Sequence, residues 1–436
     1  MSEMLVAGRL EEWLDPDAVY RGWAARHEES FWLDAGPGAV AGWSWVGIGA
    51  RESDLSCLRS IDCSVAPSAG HAGAFVGGWV GWLGYDSAAA RAGAPGSEDR
   101  TGVPEEHWVR VERFVAFEHS SGVAWAYADP DDLDAFLREL RLITDTPPDV
   151  LPAAAAAATS RHTPTEYATL IERCRAAIAE GDAYQLCLTT RFEVAASGSP
   201  IDPVATYARL RAATPAHHGG LVVSGSVALA SASPERFLAV ERGRVQTRPI
   251  KGTRPRGADA DTDADLIDDL RSSEKERAEN VMIVDLMRND LSRVCAPGSV
   301  GVDRLLEVET YPAVHQLVST VSGELTQGMT VGGLLDATFP AGSMTGAPKL
   351  SAMTILHDLE GDARGIFSGC FGWVGTNGAL DLAMVIRSIV VHEGDAYVGA
   401  GGGITWKSDA AAEVAEVAVK ARAPLAALGA SLPPGW

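Results

Sequence analysis

Lys251 lies in the run Arg248-Pro249-Ile250-Lys251-Gly252-Thr253, after a rigid proline and an apolar isoleucine and before a glycine that leaves backbone space open. A lysine held on a stiff segment against apolar surface loses part of its hydration, which lowers its pKa and frees the amine as a nucleophile. The competing reading is a surface lysine of a cationic loop, since Arg254 and Arg256 follow closely. Two acidic sets stand far apart in the chain: Glu276 with Glu279, and Glu413 with Glu416 and Lys420. At helical spacing each set shares one face. Two such faces meeting in space could hold a hard cation, because Mg²⁺ is usually bound by one or two carboxylates plus waters and substrate oxygens. Solvated helix faces, with Glu416 and Lys420 as a simple surface pair, are the bland alternative. Glu235 ends a strand-like run, Ser231-Ala232-Ser233-Pro234-Glu235. A carboxyl against apolar residues has its pKa raised and can act as a general acid, although a salt bridge to Arg236 would account for it too. The run Gly399-Ala400-Gly401-Gly402-Gly403-Ile404 reads as a turn whose open N–H groups could bind a carboxylate.

Three other patterns fail on their details. The glycine run lacks the third glycine and distant acid of a dinucleotide fingerprint. The alternating aspartates from Asp259 to Asp265 lack the glycine of a calcium loop at the sixth position and have Leu270 at the twelfth. Ser368-Gly369-Cys370-Phe371-Gly372 lacks the first glycine of a glutaminase nucleophile turn.

The elements that must position these groups follow from periodicity. Thr163-Pro164-Thr165-Glu166 is a capping box with proline at the first helical position, and Tyr167, Leu170, Ile171, Cys174 and Ile178 follow at helical spacing up to Gly181. Residues 184–195 read as a strand, and 273–290 and 410–424 as the two acidic helices. Strand-like runs fall near 219–250, 313–325, 367–376, 381–392 and 396–405. Nine of the twelve tryptophans lie in the first 125 residues, among short apolar runs and glycine-rich turns, which predicts a β-rich region with tryptophan in its core. A stretch rich in proline and alanine predicts a linker at 146–162, dividing a region 1–145 from a region 163–425.

Composition bounds the function. The 436 residues, 46% hydrophobic and 22% charged, suit a soluble globular protein of one large domain or two ordinary ones. No stretch approaches the roughly 18 apolar residues of a membrane span, and the N-terminus shows no secretory signal. Cys57, Cys63, Cys174, Cys187, Cys295 and Cys370 are scattered without a C-x-x-C pair, which predicts reduced thiols and a cytoplasmic location. A net charge of −22 repels polyanions, so no nucleic acid and no membrane is expected as a partner. The cationic segment 248–256 would instead receive a small anionic ligand.

Taken in order, G-D-A-Y-Q-L-C-L (181–188), S-P-E-R-F (233–237), R-P-I-K-G-T-R (248–254), S-E-K-E-R-A-E-N-V-M-I-V-D-L-M-R-N-D-L (273–291), F-P-A-G-S-M-T-G-A-P-K (339–349), D-L-A-M-V-I-R-S (381–388) and G-A-G-G-G-I (399–404) form a specific set. The set closely resembles the chorismate-utilising enzymes, which include anthranilate synthase component I, aminodeoxychorismate synthase component I and the isochorismate and salicylate synthases. It covers about residues 163–425. The N-terminal region matches more loosely, through Phe31-Trp32-Leu33-Asp34 and 77–86.

The resemblance implies an α+β fold of antiparallel sheets packed as a sandwich with helices outside, and a Mg²⁺-dependent reaction on chorismate. It implies Glu279 and Glu416 as metal ligands, with Glu276 and Glu413 behind them or acting through water. Lys420 and the backbone of Gly401, Gly402 and Gly403 would bind carboxylate oxygens, and Arg387 the enolpyruvyl carboxylate, a bidentate task that suits a planar guanidinium. Ser343 and Thr253 would contact the substrate, His315 would lie against the ring, and Glu235 would be the general acid. Water-adding relatives have a lysine base where this chain has Gln185. Anthranilate synthases typically read P-I-A-G-T where this chain reads P-I-K-G-T, as aminodeoxychorismate synthases do. The type implied is therefore amination at C4: Lys251 attacks C2 as the C4 hydroxyl leaves, and ammonia then adds at C4 and expels the lysine. A separate glutaminase chain would supply the ammonia. Ala341 is the anthranilate-like choice, and Phe367 and Trp373 replace tyrosines of relatives. Leu33-Asp34 matches the tryptophan-binding segment of relatives only in part. The alternatives are an anthranilate or 2-amino-2-deoxyisochorismate synthase, and a non-catalytic protein that binds chorismate or an amino acid as a regulator.

Overall fold

The helix signals carry into the structure, a computed structural model that describes residues 5–65, 75–144, 156–311 and 314–436. Thr163 caps the helix Pro164–Glu180 through a full capping box, and Gly181 ends it in the left-handed region. The acidic helices are Glu274–Ser292, capped by Ser273, and Ala410–Ala427, capped by Asp409. The aspartate run is a helix start: Asp259 caps Ala260–Ser272. Of the predicted linker, residues 146–155 lie outside the described residues. Ala156–Ser160, inside the predicted linker, instead forms a strand paired with Gln185–Val194.

The long strand Glu106–Glu118 is where two antiparallel sheets diverge. Along one route the ladder runs through Trp43–Arg51, Glu29–Asp34, His218–Ser224, Val227–Ser233, Ser388–His392, Asp395–Ile404 and Gln185–Val194. Along the other it runs through Gly78–Leu83, Cys370–Gly375, Leu380–Met384, Arg236–Glu241, Arg244–Thr247 and Val314–Glu324. Strands of the N-terminal region thus pair directly with strands of the C-terminal region. Phe31, Phe114, Val222 and Tyr397 from the first sheet pack with Trp82, Phe371 and Trp373 from the second, which is the interior of the sandwich. Helices Pro164–Glu180 and Ala410–Ala427 cover the first sheet, and Glu274–Ser292 and Val331–Thr338 cover the second. Trp23, Trp32, Trp79, Trp82 and Trp108 are buried, as expected of core residues.

Two crossings between the sheets matter most for chemistry. The chain leaves Val227–Ser233 and enters Arg236–Glu241 through Pro234 and Glu235, and leaves Leu380–Met384 for Ser388–His392 through Arg387. The two corners are tied together. The Met384 N–H donates to the Glu235 carbonyl at 2.9 Å, and the Ala232 N–H donates to the Arg387 carbonyl at 3.3 Å. Arg387 has φ of 53°, a conformation that costs a non-glycine residue energy and gathers at functional sites.

Candidate active site

The glycine run lies within a strand, as the strand-like run near 396–405 predicted, and does not form the turn expected at its glycines. Asp395–Ile404 pairs residue by residue with 186–194 along one edge. Along the other edge only 395–397 pair, so among the described residues the N–H groups there from 398 onward stay open to a ligand. Glycine is required because neighbours occupy the space where side chains would stand. A Cβ on Gly403 would lie 2.4 Å from Gln185 Nε2 and 3.6 Å from Lys251 Nζ. A Cβ on Gly402 would lie 3.2 Å from Glu413 Oε2, and 4.0 Å from both Glu416 Oε1 and Lys420 Nζ. One strand of missing side chains therefore gathers Gln185, Lys251, Glu413, Glu416 and Lys420 around it.

Lys251 reaches this place from a bulge. Ile250–Pro255 pairs with Val314–Glu324 except for a register shift between Ile250 and Thr253. Within the shift Gly252 has φ of 80°, and a Cβ there would stand 2.7 Å from Leu270 and 3.0 Å from Glu276, so only glycine fits. The arginines around the lysine are engaged: Arg248 with Glu309, Arg254 with Asp269 and Arg256 with Asp263. The expected cationic cluster is thus neutralised locally, apart from Lys251. Its charge state also departs from expectation. Burial lowers its pKa, but Glu279, Glu235 and Glu416, with Cys187, outweigh burial and the net shift is upward. The surrounding carboxylates favour the ammonium form by their field, and among the described residues none lies within ion-pair distance of the amine.

Glu235 is buried, and burial raises its pKa to about 7 against the opposing pull of Lys251, the Ser343 hydroxyl hydrogen-bonded to it, and Lys420. Arg236 does not pair with it. Both of its guanidinium contacts go to Asp381, at 3.0 and 2.8 Å. The carboxyl is therefore free to carry a proton near neutral pH.

The acidic helices do meet. Lys275 Nζ lies 4.0 Å from Glu279 Oε1 and 3.6 Å from Glu413 Oε1, which bridges the two helices. Burial raises the pKa of Glu279, partly offset by Lys251 and Lys275. Burial would raise Glu416 too, but Lys420, 2.7 Å away, and the other lysines turn its shift downward. Lys420 also donates to the Gly401 carbonyl at 2.8 Å. Among the described residues no three His, Cys, Asp or Glu side chains come close enough to hold a metal by themselves. The buried Glu279 Oε1 nevertheless has no hydrogen-bond partner, and a hard cation held by two carboxylates, waters and substrate suits such an oxygen. Glu276 lies behind, 3.9 Å from Arg254.

Arg387 is half-buried, burial lowers its pKa, and among the described residues it makes no ion pair. A buried guanidinium without a partner is a receptor for an anion. Two predicted residues stand apart. Thr253 is exposed, and its carbonyl accepts from Arg254. His315 is buried with both ring nitrogens engaged, Nδ1 with Thr310 and Nε2 with Asp263, each at 2.9 Å.

Other supports escaped the sequence reading. Asn280 is buried, donates to the Leu317 carbonyl at 3.2 Å and accepts from Ser319 at 2.5 Å, which fixes the helix of Glu279 to the sheet. Lys349 donates to Asp290 at 2.8 Å, tying the segment that carries Ser343 to the same helix. Arg364 pairs with Glu360 and donates to the carbonyls of Met344 and Cys187. Nothing in the spacing of Glu360 and Arg364 marks them out, and only their burial reveals the role. A cavity of about 350 Å³ is lined by Leu33, Asp34, Trp43, Trp45, Tyr311 and Trp373 together with Arg236, Arg248 and Asp381, and not by Glu235, Lys251, Glu279, Arg387, Glu416 or Lys420. Its Asp34 is held by Tyr207 and Arg211.

A family profile described as chorismate binding enzyme matches residues 28–426. An aminodeoxychorismate synthase from Streptomyces griseus is 40% identical over 396 residues, covering 88% of this chain and 53% of that protein. Anthranilate synthase component 1 from Streptomyces coelicolor is 37% identical over 452 residues, covering 96% of this chain and 87% of that one. The chain spans about half the length of the two Streptomyces aminodeoxychorismate synthases it matches. Among solved structures, anthranilate synthase component I from Streptococcus pneumoniae superposes with a TM-score of 0.77 at 29% identity, covering 94% of this chain and 96% of that one.

Proposed function

The chain belongs to the chorismate binding enzyme family, and from that premise we propose that it aminates chorismate at C4, giving 4-amino-4-deoxychorismate. The observation that carries the reading is Lys251: its amine stands at the glycine strand beside Gln185, within the field of Glu235, Glu279 and Glu416. Arg387 and those backbone N–H groups of 401–403 that face the unpaired edge would hold the two carboxylates of the substrate, with Lys420 beside them. Glu279 and Glu416 would hold Mg²⁺, which when bound supplies Lewis-acid contact to the ring carboxylate and cancels the carboxylate field that keeps Lys251 protonated.

Glu235, about half protonated at neutral pH, gives its proton to the departing C4 hydroxyl, which leaves as water. Lys251, once its extra proton has gone to solvent, bonds through its neutral amine to C2 as both ring double bonds shift, C1–C2 to C1–C6 and C5–C6 to C4–C5. Ammonia then attacks C4, both double bonds shift back, and the C2–N bond to Lys251 breaks, releasing the neutral amine. The proton lost by the added nitrogen returns to Glu235, so the site is restored. Two displacements on one diene thus place nitrogen para to the carboxylate. Ammonia comes from a glutaminase partner, or from free ammonium in vitro.

The test is a product assay with chorismate, Mg²⁺ and ammonium. Release of 4-aminobenzoate only after addition of a separate lyase supports the reading, and anthranilate formed without one contradicts it. Amination at C2 is the second reading. The match to anthranilate synthase component 1 over 96% of this chain, and Ala341, favour it.

A further inference from the structure

We propose that Lys275 competes with the divalent cation for the Glu279 carboxylate and must swing out for the ion to bind. The inference rests on the reading of Glu279 and Glu416 as metal ligands. The Lys275 ammonium bridges Glu413, at 3.6 Å, and the Glu279 oxygen that has no hydrogen-bond partner, at 4.0 Å. Its own side chain is 57% exposed, whereas those of Glu279 and Glu413 are 12% and 4% exposed. A flexible cation thus reaches in from solvent to two carboxylates that solvent barely touches.

Helix stability does not explain this lysine. It is the second residue of Glu274–Ser292, where the positive end of the helix dipole disfavours a cation. It also stands N-terminal to Glu279 at i,i+4, the weaker orientation for such a pair. Lys420, the other ammonium at the carboxylates, is fixed at 2.7 Å from Glu416 and 2.8 Å from the Gly401 carbonyl. Lys275 makes neither kind of close contact, so it is the cation free to leave. A cation on Glu279 takes over the charge that Lys275 neutralises, and both cannot hold the same oxygen.

The experiment uses the full chain freed of metal, with Mn²⁺ titrated by calorimetry as the probe. Exposed lysine pairs are weak, so K275M is expected to tighten Mn²⁺ binding by only about two- to fivefold. In the unmodified protein Mg²⁺ is expected to raise the rate at which an amine-reactive ester labels Lys275, read by mass spectrometry, by about threefold or more. E279Q should abolish that rise. Unchanged or weaker Mn²⁺ binding by K275M, or Lys275 labelling that Mg²⁺ leaves unchanged or lowers, overturns the inference while leaving the metal site standing. Absence of one-site Mn²⁺ binding in the unmodified protein overturns the metal reading, and this inference falls with it.

Discussion

Replacing Glu235 by glutamine should make the protein a poorer catalyst and, at alkaline pH, a more stable one. Glu235 has its pKa raised from 4.5 to about 7, chiefly by burial. A carboxyl raised in the folded state stabilises the fold while it is protonated in both states. That stability drains away as pH rises from the ordinary carboxylate range through about 7, at about 1.4 kcal/mol per pH unit. The cost is under about 1 kcal/mol at pH 5 and about 3 kcal/mol at pH 8. Glutamine keeps the shape and carries no charge, so Glu235→Gln should gain about 3 kcal/mol over the unmodified protein at pH 8 and little at pH 5. The assay is urea unfolding of both proteins at the two pH values in metal-free buffer. Turnover should fall by about 10²- to 10⁴-fold, because the proton for the leaving hydroxyl is gone. In the unmodified protein turnover should itself decline about tenfold per pH unit above about 8. A stability gap identical at pH 5 and pH 8, or a variant within about threefold of normal turnover, would refute the reasoning.

Other outcomes follow from the same geometry. Arg387→Lys keeps the charge but loses the planar fork, so KM for chorismate should rise about tenfold with the melting temperature little changed. Gly403→Ala puts a methyl group 2.4 Å from Gln185 Nε2, and steady-state kinetics should show turnover reduced by about 10²-fold as Gln185 and Lys251 are displaced. Asn280→Ala leaves the buried Ser319 hydroxyl without its acceptor, and the Leu317 carbonyl without its donor from Asn280, and should cost about 1–3 kcal/mol in chemical denaturation.

Much of this fold and site was legible where local chemistry is strong. The capping box at Thr163, the acidic helices and most strands follow from spacing and appear within a few residues of their expected bounds. What sequence could not give were consequences of the interior. The glycine run read as a turn because glycine signals turns locally, whereas here it makes room for side chains arriving from Gln185–Val194, Ile250–Pro255 and Ala410–Ala427. Lys251 read as a depressed amine because desolvation is the term a single lysine suggests. The opposing carboxylates lie 28 and 165 residues further along, at Glu279 and Glu416, and only folding brings them near. The Asn280, Lys349 and Arg364 supports were silent for the same reason, since a polar residue announces burial only once its partners surround it.

The most direct test of C4 amination is the regiochemistry of nitrogen transfer. Chorismate, Mg²⁺ and ¹⁵N-ammonium are incubated with the protein, and the intact product is read by NMR for the ring carbon coupled to ¹⁵N. Nitrogen on C4, lost in Lys251→Ala, is the predicted result. Nitrogen on C2, or C4 amination that persists without the Lys251 amine, would contradict it.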